Sequence, residues 1–354
     1  MLNSLQACRA AACLLVVLYH TDAIFNLPKY FGDRPFGTIF DCGPMALDLL
    51  FVLSGFIILH THRDDLGKPE RLGNYLHRRF HRLYPTYWAV LFCMLPVFFL
   101  VPSFGDGSQR DPGVVLRSLF LLPQPSGNPI IVVSWSLSLE VLFYLAFGAL
   151  VLHRGFGLAV FGVWAFILWK APWSDYPLSF LHHPYFIPIL GGMVACEIVH
   201  RWPIQEPLRL AWGGGAILLG LSICDGIGFV PPLNAQFLLL SGGCMLLVMG
   251  LAAEEKMARL PVPKLICQLG DASYSVYLVH YPALSVLCKI SKSLSLDAKI
   301  PHQLLFLGLS ISAIAVGMVF ARVVELPLRR WKQPRKPTSK ILETPLAQKT
   351  RLAA

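Results

Sequence analysis

An all-α membrane bundle is the fold class this sequence predicts, and three observations carry the prediction. Of 354 residues, 55% are hydrophobic and only 14% charged, and the mean hydropathy is +0.58, which is no soluble globular composition. Apolar runs long enough for membrane helices recur along the whole chain. The basic residues behind the formal charge of +10 gather in a few loops and a tail. That distribution marks the cytoplasmic face of a membrane protein rather than a nucleic-acid surface.

Taken in order, the spans expected are 5–25, 43–61, 84–102, 134–153, 155–172, 184–200, 209–224, 235–253, 271–290 and 303–326. The first has no basic region before it and no small-residue cleavage site, so it reads as a retained helix. Several spans are shorter than the roughly 20 residues a bilayer requires, which tilt or merged boundaries would explain. About ten spans put both termini on one side. The loop 62–83 shares that side and holds Arg63, Lys68, Arg71, Arg78, Arg79 and Arg82; the tail adds Arg329, Arg330, Lys332 and further cations. The positive-inside rule therefore places both termini in the cytoplasm. The largest outer loop, 103–133, is rich in Gly and Pro and can hold a re-entrant or interfacial helix around 113–122. One transmembrane domain over 1–330 and a basic, disordered tail over 331–354 complete the plan. Nine cysteines are scattered without CxxC or Cys/His spacing, so neither a disulfide framework nor a metal site is indicated. His182-His183 has no companion ligands in its loop.

Ionisable residues inside the spans are the candidates for function, because a bilayer makes them costly. Arg9 and His20 bracket the apolar run RAAACLLVVLYH. Eleven residues at ~100° bring them within about 20° of one helix face, ~16 Å apart along the axis. Either Arg9 snorkels and His20 caps the helix, or the pair forms a functional stripe. Asp48, at the start of the second span, is an interfacial anchor, an orienter of an imidazole or a partner for an arginine. Ser54-Gly55-Phe56 after it permits close helix packing. In HRRFHRLYPTYW, Arg78, Arg79 and Arg82 share a broad helix face. They are a positive-inside anchor or a cradle for a phosphate-bearing ligand. Ser136, Glu140 and Tyr144 stand four apart in the next span, and His20 is the natural partner for the Glu140 carboxylate. Asp271 and Ser273 suit a helix cap, Tyr274, Tyr277 and His280 step along the ninth span, and Pro327 reads as a helix stop.

Together these segments resemble the membrane acyltransferase-3 family, integral-membrane O-acyltransferases that modify sugars. The resemblance rests on Arg9 with His20, LDLLFVLSGF at 47–56, RRFHRLYP at 78–85, WSLSLEVLFY at 135–144, LGDASYSVYLVH at 269–280 and VELPLRR at 324–330. It runs in order over about 3–330. Where the family usually reads Leu-Asp-Gly-Leu-Arg-Gly, this chain has Leu5-Gln6-Ala7-Cys8-Arg9-Ala10; the family's Val-Asp before the second span is Leu47-Asp48 here. The resemblance implies catalysis by Arg9 and His20, with acyl-CoA as donor substrate and no permanently bound cofactor or metal. His20 would act as general base, Glu140 would orient it, and Arg78, Arg79 and Arg82 would bind the donor. Asp48, Ser136, Tyr144, Tyr274, Tyr277 and His280 would support them. It implies acyl, in particular acetyl, transfer to a sugar or lipid-linked glycan in a bacterial inner membrane. The alternative is a membrane carrier of a polar solute or acyl group, which intramembrane charges would serve equally well.

Overall fold

A computed structural model describes residues 2–101, 105–125, 128–170, 175–229, 232–257 and 261–330; the tail expected at 331–354 lies outside them. The regular elements of the described residues are all helices, with no strand. The helices are α1 (Asn3–Phe25), α2 (Met45–His62), α3 (Pro69–Leu100), α4 (Pro112–Leu119), α5 (Trp135–Leu152) and α6 (Arg154–Lys170). They continue with α7 (Leu178–Leu181), α8 (Phe186–Arg201), α9 (Pro207–Gly226), α10 (Leu233–Lys256), α11 (Lys264–Ser293), α12 (His302–Phe320) and α13 (Leu326–Arg330). Every segment expected as a span is a helix. Among the described residues, seven stretches are long and apolar enough to cross a membrane: 3–25, 45–65, 69–100, 132–152, 207–226, 235–256 and 302–329. This is a multi-pass membrane protein.

Two close approaches position the functional residues. Gly55 and Gly192 let α2 and α8 touch backbone to backbone: a Cβ at either would fall 2.0 Å from the opposing carbonyl oxygen, of Ile189 and Val52 respectively. The small residue after Ser54 therefore does what its position suggests. Gly270 does the same for α11 against α1, where a Cβ would meet the Gln6 oxygen at 2.3 Å. With α1 and α11 that close, side chains further along the two helices are brought into contact.

Three boundaries differ from expectation. Helix α3 starts at Pro69, not near residue 84, because its first half already has a buried face: Tyr75, Arg79 and Leu83, four apart, are all buried. Pro69 suits the first helical position, and Pro85 and Pro96 are carried inside the helix. Helix α11 starts at Lys264, so Asp271 and Ser273 lie inside it and cap nothing. Instead Asp271 accepts a hydrogen bond from Gln6 Nε2 at 2.7 Å, and Ser273 Oγ donates to the Gly270 carbonyl at 2.7 Å. Pro327 does not stop the last span either. A π-helical turn at Ala321–Glu325 joins α12 to α13. Proline has no N–H to offer and crowds the carbonyl four residues back, and widening the helix relieves both. The turn buries Glu325, which accepts from Ser275 Oγ and pairs with Arg329.

The segment expected as a re-entrant element is α4, and α3 holds its end. Tyr84 and Tyr87 donate from their hydroxyls, and Trp88 from Nε1, to the carbonyls of Phe120, Ser118 and Leu119 at 3.0, 2.6 and 2.9 Å. Residues 130–133 then pass through the core, with Ile130, Ile131 and Val133 buried, and deliver the chain to α5.

Candidate active site

Three arginines face one cavity. Its volume is about 100 Å³, and its walls include Arg9 of α1, Arg79 and Arg82 of α3, Ser136, Glu140 and Tyr144 of α5, and Tyr274 and Tyr277 of α11. One carboxylate stands against three guanidiniums, so the cavity is cationic. Glu140 accepts a hydrogen bond from the Tyr144 hydroxyl one turn along the same helix. The Tyr274 hydroxyl donates across to the Leu83 carbonyl at 2.8 Å.

Arg79 is held from behind. It is 7% exposed, and its Nη2 donates to His62 Nε2 at 2.5 Å. An arginine nitrogen only donates, so His62 Nε2 is the acceptor and the His62 proton sits on Nδ1. That Nδ1 donates to Asp65 Oδ2 at 2.8 Å. The rings of Tyr75 and Tyr144 flank the guanidinium at 5.8 and 5.7 Å, a cation–π arrangement. Arg79 Nε has no partner among the described residues. A buried guanidinium held from one side on the wall of a cavity suits an anionic oxygen.

At one end of the cavity the Ser136 and Tyr277 hydroxyls lie 2.7 Å apart. Each is also 3.0 Å from the Val133 carbonyl. One turn further along α11 is His280, whose ring centroid is 5.9 Å from that of Tyr277. His280 Nε2 is 3.1 Å from His20 Nδ1. The carbonyls around the two rings fix their tautomers. His280 Nδ1 faces the Val276 oxygen at 3.0 Å, and His20 Nδ1 faces the Val16 oxygen at 3.0 Å. Carbonyl oxygens only accept, so in the neutral rings both Nδ1 atoms carry the proton. His280 Nε2 is then a lone pair that shares the His20 Nδ1–H. His20 Nε2 is left as a second lone pair, with no partner among the described residues. The Tyr281 ring packs edge-on against His20 at 5.5 Å.

Several expected residues meet here and others do not. Arg9, Arg79, Arg82, Ser136, Glu140, Tyr144, Tyr274 and Tyr277 share the cavity; His280 packs beside Tyr277 on its wall, and His20 contacts His280. The expected Glu140–His20 pair does not form: Glu140 bonds Tyr144, and His20 bonds His280 and Val16. The reason is depth. Ser136 already sits at the level of Tyr277, and Glu140 lies a full turn past it, among the arginines. Arg78 also departs from its group, pointing away from the cavity in contact with Asn74 Oδ1 at 3.3 Å. Asp48 is 1% exposed, so it is no interfacial anchor. It meets neither an imidazole nor an arginine among the described residues, and its Oδ1 is unpartnered. His62 and Asp65 behind Arg79 were not singled out from the sequence; nothing in local spacing links them to a residue on another helix. The same holds for His60, Cys196 and His200, whose potential metal-ligand atoms all lie within 4.8 Å of one another.

Residues 2–322 match the acyltransferase domain family that the sequence motifs resemble. The chain belongs to the acyltransferase-3 family. It is 28% identical over 318 residues to the exopolysaccharide production protein ExoZ of Rhizobium meliloti (strain 1021), covering 86% of this chain and 95% of that one. It is 31% identical over 160 residues to the acyltransferase MdmB of Streptomyces mycarofaciens, covering 41% and 38% of the two chains. Protein 2 in the picA locus of Rhizobium radiobacter is 31% identical over 133 residues, covering 34% and 64%. No solved structure matches. Family membership and the apolar helices together make this a membrane acyltransferase.

Proposed function

We propose that this protein moves an acyl group, specifically acetyl, from cytoplasmic acyl-CoA to a hydroxyl of a glycan, with His20 as general base. The observation that carries the reading is the His20–His280 pair, which packs through His280 against Tyr277, a wall residue of the cavity that Arg9, Arg79 and Arg82 also line. In this reading ten spans cross a bacterial inner membrane, and both termini and the arginine end of the cavity lie in the cytoplasm, where the donor is. The relative named for exopolysaccharide production supports a glycan acceptor.

The residues divide the work by depth. Arg79 and Arg82 bind donor phosphate or pyrophosphate oxygens, and Arg9 extends that positive field toward the thioester. Glu140 balances the three cations and, through Tyr144, helps hold the cavity wall. The acyl thioester reaches the Ser136–Tyr277 end. There His20 Nε2 removes the proton of the acceptor hydroxyl as its oxygen attacks the thioester carbonyl carbon. The positive charge on the imidazolium is shared through Nδ1–H with His280. The Ser136 or Tyr277 hydroxyl turns its proton from the Val133 carbonyl to the oxyanion as it forms. On collapse the carbon–sulfur bond breaks, and the proton on Nε2 passes to the departing thiolate, which regenerates the base.

The test is transfer of labelled acetyl from acetyl-CoA to surface-glycan fragments by the purified protein in nanodiscs. Transfer by the wild type and none by folded His20→Ala is the expected result. Equal transfer by both would remove His20 from the chemistry.

A further inference from the structure

Helices α2 and α8 are locked side by side. Gly55 lies against Ile189 and Met193, and Gly192 against Val52 and Phe56. Further along both helices, Arg63 Nη2 pairs with Glu197 Oε1 at 3.0 Å, so the two run parallel. Between those contacts stand His60 of α2 and Cys196 of α8, and His200 follows Cys196 by one turn on the same face. The His60 and His200 ring centroids are 5.2 Å apart, and Cys196 Sγ is 3.7 Å from His200 Nδ1. One ligand atom from each of the three residues lies within 4.8 Å of the others. The cluster depends on the glycine contacts, since its histidine from α2 is remote in the chain from the other two residues.

One thiol and two imidazoles are the donor set of a borderline transition ion. Hard ions such as magnesium and calcium take oxygen ligands, and the neighbouring carboxylate, Glu197, is engaged by Arg63 and Arg201. On tetrahedral zinc, bonds of ~2.3 Å to sulfur and ~2.0–2.1 Å to nitrogen set the ligand atoms ~3.3–3.6 Å apart. The separation of Cys196 Sγ from His200 Nδ1 is already close to that. His60 is exposed, so its ring has room to turn inward and close the rest. His200 Nδ1 donates to the Cys196 carbonyl at 3.0 Å. When an ion binds, the thiol proton passes to solvent and the His200 proton moves to Nε2. Sγ and Nδ1 then each give an electron pair to the ion, with no change of oxidation state. The Lys256 ammonium near Cys196 is tied to the Val199 carbonyl at 3.0 Å, and the thiolate offsets its charge.

We infer that His60, Cys196 and His200 bind a zinc-class divalent ion, with water in the fourth position. The site is separate from the arginine cavity and does not require the acyl-transfer reading. A bound ion fastens the end of α2 to α8 two residues before His62, the group that accepts from Arg79.

The experiment uses the whole protein in nanodiscs, purified without a histidine tag and stripped with a chelator. Cobalt(II) serves as the spectroscopic probe, and zinc is then titrated against it. The wild type should saturate at one ion per chain and show a thiolate-to-cobalt charge-transfer band that zinc abolishes and magnesium does not. Cys196→Ser should remove the band, while Cys93→Ser, at an exposed cysteine outside the cluster, should keep it. His60→Ala and His200→Ala should each weaken zinc binding at least about tenfold. Zinc should also raise the melting temperature of the wild type and leave that of His60→Ala nearly unchanged. His60 is exposed, so its loss leaves the fold intact and carries the test even where Cys196→Ser fails to fold. No saturable binding by the wild type, a charge-transfer band that persists in Cys196→Ser, or unchanged zinc affinity in His60→Ala would overturn the assignment.

Discussion

The two ends of the polar path through the bundle handle ionisable groups in opposite ways. At the arginine end, Arg9, Arg79 and Arg82 face a cavity with one carboxylate among them, and the Arg79 Nε is left without a partner among the described residues. Charge there is held unbalanced, which is useful only if an anion arrives. At the histidine end, both Nδ1 atoms are committed to carbonyls and, among the described residues, only one lone pair of the two rings, His20 Nε2, is left open. Neutral groups there are oriented rather than charged. In the proposed reading the first arrangement binds and the second accepts a proton, so a single helix, α1, would carry both jobs ~16 Å apart.

The sharpest test of that division is His20→Ala. It should lower turnover by about 10²–10⁴-fold, the range of a lost general base, with donor KM unchanged; steady-state kinetics in nanodiscs reads both. Next is Arg79→Ala, which should raise donor KM by roughly tenfold or more through loss of a desolvated charged contact. Arg78→Ala, on the outside of the same helix, should change it less than about twofold. Equal effects at the two positions would dissolve the distinction between cavity and surface arginines.

His280→Ala should lower turnover about tenfold, because His20 keeps its bond to Val16 but loses the ring that shares the imidazolium charge. The double variant with His20→Ala should be little worse than His20→Ala alone, as expected of groups acting as one unit. Glu140→Gln sharpens the comparison from the other side. It should alter donor KM and leave the pH profile of turnover where it is; a shifted profile would tie Glu140 to the base after all.

The smallest effect concerns pH and His183, in the loop before α8. His183 stays neutral in the folded protein down to about 4, whereas its ordinary value is 6.5. Between those values the unfolded chain takes up a proton that the folded one does not, so stability falls as pH drops through the window. Thermal melts from pH 7 to 4 should show a smaller decline for His183→Phe than for wild type.

Much of this was legible from sequence because bilayers constrain it strongly. Apolar runs mark helices whatever their neighbours are, and Arg9, His20, Arg79, Arg82, Ser136 and Tyr277 stand out as polar residues in or beside them. The misassigned partners share one cause. Which carboxylate or imidazole meets His20 depends on the relative depth of helices far apart in the chain. A one-turn difference, about 5.4 Å, separates Glu140 at the arginines from Ser136 near the base.

What the sequence by itself determined, then, is the set of helices and the types of chemistry on them, since hydropathy and 3.6-residue periodicity act locally. Tertiary structure alone decided the pairings: His20 with His280, Arg79 with His62 and Asp65, Glu140 with the arginines. It also decided that Arg78 faces away. Those outcomes follow from helix rotation and depth, which are set by close contacts such as Gly270 against Gln6 and Gly55 against Ile189. Such contacts join residues distant in the chain, and no local pattern encodes them.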